Sequence, residues 1–271
     1  NLYPFKEVVN NSDSTESDII ENIDIGGVSL LRAAAKNYKN VISLINPDKY
    51  DYFIEHYSEI IHSDDFKKGL AAESFEHVTD YDALITNYFS ESTTYRKYVI
   101  ETPIKYGCNP YQGNAYLYSI NNNKVPIKVI NGNPGYINYL DSFNSWLLVC
   151  EASKSLDNIV ATSFKHTAPA GVALGSIILN SDIKPYYLEN YDIDEINKSQ
   201  SSRAFLRARY CDPLSSFGDF IAISGIVDET CAKLIKREIS DGIIAEGYTD
   251  KALEILKTKK GGKYPIIIGD K

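Results

Sequence analysis

The sequence has no methionine, a single tryptophan and only four histidines among its 271 residues, and it begins at Asn1. Its four cysteines form no C-x-x-C pair, which disfavours a disulfide framework or a zinc ribbon and favours reduced thiols. No apolar run approaches the roughly 18 residues of a membrane span, and no leader pattern opens the chain. We therefore expect a soluble, cytosolic protein without a membrane partner. The start at Asn1 and the missing methionines lead us to expect an internal part of a longer protein.

Positive charge is in deficit, because 28 Lys and Arg face 36 Asp and Glu and give a formal net charge of −8. This balance disfavours a nucleic-acid partner, although it leaves room for a local basic pocket around a phosphorylated small molecule. At roughly 150 residues per domain, the length predicts two domains. The segment 90–102 loses the helical period and leads to Pro103, so we place the domains at 1–100 and 101–271.

The first hundred residues combine helical patterns with one short apolar run. Asn46 is a good N-cap and Pro47 a good first helical residue, so a helix is expected to begin there. The predicted elements are a helix over 28–38, a buried strand over 41–45, and helices over 48–60 and about 64–89.

The second half predicts alternating strands and helices. A hairpin is expected from strands at 116–119 and 125–130 around a turn at 121–124, and segment 192–202 is expected to be polar surface. The remaining predicted strands are 158–164, 220–224, 242–245 and 264–268, and the predicted helices are 136–153, 171–179, 230–239 and 249–257. Such alternation favours parallel strands covered by helices in an α/β fold.

Lys165 and His166 directly follow a predicted strand, where ligands of α/β sheets bind. A neighbouring ammonium disfavours the imidazolium, which keeps the imidazole able to take a proton, and the lysine can stabilise a developing oxyanion. Adjacent strand residues point to opposite faces, so we expect Pro169 and Gly171 to turn the chain and let both side chains reach one ligand. An isolated Lys-His pair is more often simply solvent-exposed.

Two further turns are candidates for substrate contacts. The Phe217-Gly218 step offers an aromatic wall and close backbone approach for a flat heterocycle. Asp241, just before a predicted strand, could accept hydrogen bonds from an amino or amide group. Taken alone, each of these is more often an ordinary turn.

Several familiar sites are missing from the sequence. It contains no G-x-G-x-x-G, no P-loop, no G-x-S-x-G and no H-E-x-x-H motif. The H-x-E and P-C-x-x-C signature of zinc deaminases is also absent, so no zinc is expected.

Eight short motifs occur together in an order that is typical of one family. They are NLYPF (1–5), ENIDIGGV (21–28), LRAAAK (31–36), YGCNP (106–110), NGNPGYIN (131–138), SFKH (163–166), SSFGD (215–219) and SDGII (240–244). On these motifs the sequence resembles the bifunctional purine biosynthesis family that joins IMP cyclohydrolase to AICAR formyltransferase. Each motif is weak singly, but the set in this order is highly specific and runs nearly end to end.

The resemblance implies a partial methylglyoxal-synthase-like α/β/α domain followed by part of a cytidine-deaminase-like α/β/α domain. It implies formyl transfer from the co-substrate 10-formyltetrahydrofolate to the 5-amino group of AICAR, giving FAICAR, and cyclisation of FAICAR to IMP with loss of water. It also implies a homodimer with shared formyltransferase sites. A potassium ion is implied only through residues beyond the given sequence.

The family's formyltransferase residues can be carried over to matching positions. The Lys165–His166 pair matches the formyl-transfer site, where a neutral His166 would assist loss of a proton from the poorly nucleophilic AICAR amine. Lys165 would stabilise the oxyanion or help to protonate the departing folate nitrogen. Leu214 stands where many relatives have Met and lies towards the folate. The implied AICAR-binding residues are Lys105, Tyr106, Ile137, Asn138, Phe217, Gly218 and Asp241.

The segment around Tyr106 departs from the family pattern twice. Lys105 stands where the family usually has an Arg that reaches AICAR of the partner subunit, and it supplies a point charge in place of a bidentate fork. Tyr111 stands where His is usual. Both changes bear on phosphate affinity more than on reaction type.

For the cyclohydrolase, Tyr3, Asp24, Gly26 and Lys36 match residues that line the family's ring-closure site. The resemblance implies that Tyr3 and Asp24 orient the formamido group and that Lys36 supports the developing charge.

Two segments of the family fall outside the given sequence. One is the upstream Lys-Thr phosphate loop, and the other is the second half of the formyltransferase. We therefore expect the fragment to catalyse neither reaction alone. A non-catalytic nucleotide-binding or assembly relative is the alternative, and a cytidine deaminase is a third class that the absent zinc ligands oppose.

Overall fold

The computed structural model describes residues 1–120 and 123–271 and divides into two compact units, Asn1–Tyr98 and Val99–Lys271. Each unit is described separately. The turn that the sequence predicts at 121–124 lies partly outside the described residues.

The first unit consists of helices. They are α1 (Phe5–Val9), α2 (Glu16–Glu21), α3 (Gly26–Lys36), α4 (Tyr50–Glu55), α5 (Tyr57–Ile60) and α6 (Asp64–Phe89), with a 3₁₀ helix at Pro47–Lys49. The predicted helices at 28–38 and 64–89 are confirmed, the latter with Ser63 as its N-cap. Phe5 is fully buried and makes edge-on contacts with the rings of Tyr81 and Tyr88 on α6.

Two predictions for this unit need correction. The buried strand expected at 41–45 is wrong, because that segment makes no ladder and the described part of this unit offers it no neighbouring strand. The helix expected over 48–60 begins as predicted, with Asn46 Oδ1 accepting from Asp48 N at 3.0 Å. It then continues as a 3₁₀ turn at Pro47–Lys49 and two short helices, α4 and α5, which are separated at His56, whose φ of −108° and ψ of 17° leave the helical region.

The second unit contains two sheets. A two-stranded sheet pairs β1 (Tyr98–Pro103), which starts at the unit boundary, with β2 (Tyr116–Ile120). A six-stranded sheet has the order β3-β8-β7-β6-β4-β5. Its strands are β3 (Ile127–Asn131), β4 (Val160–Lys165), β5 (Ala168–Leu174), β6 (Asp219–Val227), β7 (Ser240–Tyr248) and β8 (Ile266–Gly269).

Helices cover this larger sheet. They are α7 (Tyr136–Leu156), α8 (Asn180–Ile183), α9 (Ile193–Lys198), α10 (Gln200–Arg209), α11 (Glu229–Arg237) and α12 (Asp250–Lys257), with a 3₁₀ turn at Lys259–Gly262. The predicted helix at 136–153 and the predicted strands at 158–164, 220–224 and 242–245 are confirmed within a few residues.

The central strand β6 shows why helices lie on both faces of the sheet. Ile221 and Ile223 pack into one buried cluster with residues of α9, α10, α11 and α12. Phe220 and Ala222 belong to a second cluster that contains Trp146 of α7. Because successive strand residues point to opposite faces, a strand that is buried along nearly its whole length requires cover on both sides, and the unit has three layers.

The sheet is mixed, which corrects the expectation of parallel strands. Strands β6, β7 and β8 are parallel, whereas β4 runs antiparallel to both β5 and β6, and β3 runs antiparallel to β8. The hairpin predicted from 116–119 and 125–130 is also wrong, because β2 and β3 belong to different sheets.

The helix predicted at 171–179 is instead strand β5, which returns from β4 as a hairpin. Gly171 lies where this hairpin meets α10, and a Cβ there would collide with the carbonyl oxygen of Ala208. The sequence alone could not distinguish the two elements here, because a short apolar run occurs both in buried strands and in buried helices. Segment 192–202 is not polar surface either, since it forms α9 and the start of α10 and buries Ser201 and Ser202.

Among the described residues, no helix has both the length and the apolar character that crossing a bilayer requires.

Candidate active site

A cleft of about 830 Å³ lies at one edge of the six-stranded sheet. This edge is where β3 and β4 end and where β6, β7 and β8 begin, as the pairing of Phe164 with Phe220 and of Asn131 with Ile266 shows. Lys165 ends β4 and Asp241 lies at the start of β7, close to the positions that the sequence predicts for them at the end of one strand and just before another. The cleft is lined by five of the predicted substrate-binding residues, Lys105, Tyr106, Ile137, Asn138 and Asp241.

Asn138 is oriented by the N-terminus of α7. Its Oδ1 accepts a hydrogen bond from Gly135 N at 3.1 Å and so caps the helix. The amide NH₂ is then left to donate into the cleft. The Asn-Gly-Asn-Pro-Gly turn before α7 brings this helix start against the cleft, where Gly132 adopts a φ of +76° and a Cβ would clash with the backbone at Tyr264.

Asp241 is paired with a residue that the sequence reasoning missed. Lys260 Nζ lies 2.7 Å from Asp241 Oδ1, and both side chains are partly exposed at the cleft. Lys260 has a φ of +48° and precedes Gly261 and Gly262, which also have positive φ values. The Lys-Lys-Gly-Gly-Lys run was visible in the sequence as a basic turn, but nothing there indicated that it reaches Asp241.

Lys165, Phe217 and Gly218 form a second group. Lys165 Nζ donates to the carbonyl oxygen of Phe217 at 2.6 Å. Gly218 has a φ of +74°, which glycine adopts without strain, and the chain turns there into β6. Leu214 and Phe217 expose 89% and 59% of their surface, so both apolar side chains are open to a ligand.

His166 lies at the tip of the β4–β5 hairpin. Lys165 pairs with Ala168 across the hairpin, so its loop is the two residues His166 and Thr167, which have φ values of +53° and +63°. Two positive φ values in a two-residue loop are the signature of a type I′ turn. The chain thus turns at His166–Thr167, and not at Pro169 and Gly171, which lie inside β5 or pair along it.

Asp141 of α7 connects the hairpin to the cleft, and sequence reasoning missed it. It is only 6% exposed, and its Oδ1 accepts a hydrogen bond from Thr167 N at 2.8 Å. Burial raises the pKa of this carboxyl, the Thr167 amide and the His166 charge counteract that rise, and the charge of Asp241 adds to it. Asp141 lies one helical turn after Asn138, which lines the cleft, so its hydrogen bond to Thr167 N places the hairpin tip near that end of the cleft.

A buried ionic network supports the loop that carries Phe217 and Gly218. Arg209 Nη1 donates to Asp219 Oδ1 and to Ser216 O, both at 2.8 Å, and its Nε donates to Glu238 Oε2 at 2.8 Å. Burial raises the pKa of Asp219 to about 6, although Arg209 counteracts the rise. Ser216 Oγ also accepts from Ser163 Oγ at 2.7 Å, which ties the loop to β4.

In the first unit, Asp24 is engaged by backbone groups. Its Oδ1 accepts from Gly27 N at 2.7 Å and its Oδ2 from Tyr3 N at 3.2 Å, so it joins the start of α3 to the N-terminal segment. Gly26 begins α3 and Lys36 ends it, and the ten-residue interval separates them by about 15 Å. A cavity of about 450 Å³ is lined by Tyr3, but not by Asp24, Gly26 or Lys36. The structure therefore brings Tyr3, Asp24 and Gly26 together and places Lys36 apart.

No group of three or more His, Cys, Asp or Glu side chains that could hold a metal ion occurs in residues 1–120 and 123–271.

Comparison with known proteins gives a consistent picture. The family model "AICARFT/IMPCHase bienzyme" matches residues 34–268. A "Bifunctional purine biosynthesis protein PurH" from Staphylococcus carnosus (strain TM300) is 34% identical over 262 residues, which cover 96% of this chain and 46% of that protein. One from Prochlorococcus marinus (strain MIT 9215) is 33% identical over 274 residues, with 96% and 48% covered.

The chain thus spans about half the length of the curated relatives that it matches. The family match, over residues 34–268, includes about two thirds of the first unit and nearly all of the second, with the cleft and the Lys165–His166 hairpin. The chain belongs to the AICARFT/IMPCHase bienzyme family.

Proposed function

We propose that the second unit forms the site at which a formyl group passes from 10-formyltetrahydrofolate to the 5-amino group of AICAR. The observation that carries this proposal is the hydrogen bond from Thr167 N to Asp141, which holds the Lys165–His166 hairpin tip against α7 one helical turn from Asn138 in the cleft. The hairpin tip supplies groups that can transfer a proton, and the cleft supplies groups that can bind an amide and an anion.

The cleft supplies complementary groups for AICAR. The Asn138 amide donates to the carboxamide oxygen, and Asp241 accepts from the carboxamide nitrogen. Lys105 supplies positive charge for the phosphate, and Tyr106 and Ile137 cover the ribose and ring. Phe217 and Gly218 border the heterocycle, while the exposed Leu214 contacts the folate.

In the reaction, the AICAR amine attacks the formyl carbon and forms a C–N bond. His166 takes the proton that the amine loses. Lys165, held by the Phe217 carbonyl, uses its remaining N–H donors to stabilise the oxyanion of the tetrahedral intermediate. The bond between the formyl carbon and folate N10 then breaks, and N10 receives a proton. The products are FAICAR and tetrahydrofolate.

The first unit is proposed to contribute to closure of FAICAR to IMP, with loss of one water. Tyr3 faces a cavity and its amide is bonded to Asp24, so these two residues with Gly26 form one end of the ring-closure site. Lys36, about 15 Å along α3, would then contact a different part of the nucleotide.

These roles fit residues 1–100 as the C-terminal part of a methylglyoxal-synthase-like cyclohydrolase domain. Residues 101–271 fit the N-terminal part of a cytidine-deaminase-like formyltransferase domain, and the three layers of the second unit support this assignment. We further propose a cytosolic homodimer with shared formyltransferase sites, in which residues beyond this chain complete the sites.

The test uses protein made from the complete reading frame. His166→Ala is expected to lower the rate of tetrahydrofolate formation from 10-formyltetrahydrofolate and AICAR by about 10²–10⁴-fold, the usual contribution of a general base. His62→Ala, an exposed histidine of the first unit, is the control and should keep the wild-type rate.

A wild-type rate in His166→Ala would contradict the assigned role. Wild-type protein that binds AICAR in calorimetry but transfers no formyl group would support the non-catalytic alternative instead.

A further inference from the structure

The turn that carries His166 is conformationally unfavourable. Left-handed backbone is costly for residues other than glycine, and for a β-branched residue such as Thr167 it is an outlier. Both loop residues nevertheless adopt it, with φ values of +53° and +63°. Sequences that favour this turn have Asn-Gly there, so His166-Thr167 must be held by the surrounding structure.

The hold on the turn comes from Asp141. Its buried carboxylate accepts from Thr167 N at 2.8 Å, and it is fixed on the 21-residue helix α7. The other hydrogen bond described for Thr167, from its Oγ1 to His166 O at 2.6 Å, stays inside the turn and anchors it to nothing else. Lys165, just before the turn, is anchored separately to Phe217 O.

Asp141 also lies one helical turn beyond Asn138, since residues at i and i+3 share a helix face. A movement of the turn relative to α7 is therefore a movement of His166 relative to the amide that orients the substrate. Misplacement of a reacting group by about 1 Å can lower a rate by about 10²-fold.

We propose that Asp141 is a positioning residue that clamps the strained His166–Thr167 turn through its hydrogen bond to the Thr167 amide, and so holds His166 at the reacting nitrogen. The inference rests on the proposed formyl transfer. Asp141 itself touches no reacting atom. Its oxygen is needed as an acceptor, and its negative charge is not.

The test separates the acceptor from the charge. In protein from the complete reading frame, Asp141→Asn keeps an oxygen that can accept from Thr167 N, whereas Asp141→Ala removes it. Asn144→Ala, at an exposed position of α7, is the matched control. Each variant is assayed for formyl transfer and titrated with AICAR by calorimetry, because binding stoichiometry reports the folded fraction independently of rate.

We expect Asp141→Ala to lower kcat by about 10- to 100-fold with an unchanged stoichiometry of AICAR binding. We expect Asp141→Asn to stay within about threefold of the wild-type kcat, and Asn144→Ala to match the wild type. Wild-type kcat in Asp141→Ala overturns the proposal. So does an Asp141→Asn variant as slow as Asp141→Ala, because the role would then lie in the charge.

A second variant keeps the test decisive if Asp141→Ala folds poorly. Glycine adopts the φ of position 167 without strain. The double variant Asp141→Ala, Thr167→Gly should therefore have a kcat at least about threefold higher than that of Asp141→Ala alone. No recovery contradicts the clamp. If the wild-type protein itself transfers no formyl group while binding AICAR, the proposed function fails, which is a different result from a wild-type rate in the Asp141 variants.

Discussion

Arg209 is the buried charge on which the loop before β6 depends, and its replacement is the sharpest test of the second unit's architecture. Its side chain is 4% exposed and bonds to Asp219, Glu238 and the Ser216 carbonyl. Arg209→Ala leaves the fully buried Asp219 carboxylate without its cation. Removing one partner of a buried ion pair typically costs about 3–5 kcal/mol, and that is the expected loss in the free energy of unfolding.

The loss should depend on pH in a defined direction. Burial already raises the pKa of Asp219 to about 6, and removing the guanidinium raises it further. In the folded variant this carboxyl therefore keeps its proton to higher pH than in the wild type, whereas in the unfolded state, with the ordinary pKa of 3.8, it is ionised above about pH 5. The native state then binds more protons than the unfolded state across this range, so stability falls as pH rises, and the penalty of Arg209→Ala is larger at pH 8.

Urea unfolding followed by tryptophan fluorescence measures this directly. Trp146 is the only tryptophan, is 4% exposed, and belongs to the second unit, so its signal reports that unit alone. Arg207→Ala is the control, because the Arg207–Asp182 pair at 3.1 Å is partly exposed and should contribute at most about 1 kcal/mol. Equal losses in the two variants, or a larger loss for Arg209→Ala at pH 5, would refute the reasoning.

Two further predictions concern lysines of the second unit. Lys105→Arg should lower the dissociation constant for AICAR about tenfold in calorimetry, because a guanidinium can bind phosphate with two parallel hydrogen bonds; an unchanged constant would remove Lys105 from the phosphate site. Burial lowers the pKa of Lys259 to about 8 in the folded protein, from 10.5 in the unfolded chain. Between these two pH values the unfolded state binds more protons than the folded state, so the stability of the wild type should rise with pH. Urea unfolding at pH 7.5 and 9.5 should show a smaller rise in Lys259→Met than in the control Lys263→Met, and parallel behaviour of the two would contradict this.

Helices with strong local signals could be predicted from the sequence. The long helix α6 follows a Ser63 N-cap, and Asn46-Pro47 starts the next helical segment upstream, as their side-chain chemistry requires. These signals act within a few residues, so they survive in the folded chain.

Strand pairing could not be predicted in the same way. The run at 171–179 is apolar enough for a buried helix or a buried strand, and only its pairing with β4 decides. That pairing depends on a turn at His166-Thr167, which lacks the glycine or asparagine that usually marks such turns. The strand predicted from the apolar run at 41–45 is wrong for a related reason, because a strand needs a neighbouring strand with which to pair.

The candidate site likewise contains residues that the sequence could predict and residues that it could not. Asn138 and Asp241 were found through family motifs, and they line one cleft. Asp141 and Lys260 were missed because no motif marks them, and because their partners lie 26 and 19 positions away in the chain. Long-range contacts of single side chains leave no periodic signal in the sequence.

The Lys165–His166 hairpin and the cleft beside it are proposed to form a formyl-transfer site. The most direct measurement follows a ¹³C-labelled formyl carbon by NMR in protein from the complete reading frame, with AICAR and labelled 10-formyltetrahydrofolate. We expect the label to move from folate N10 to the AICAR amine in the wild type, and to move about 10²–10⁴-fold more slowly in His166→Ala. Transfer at the same rate in both proteins would contradict this proposal.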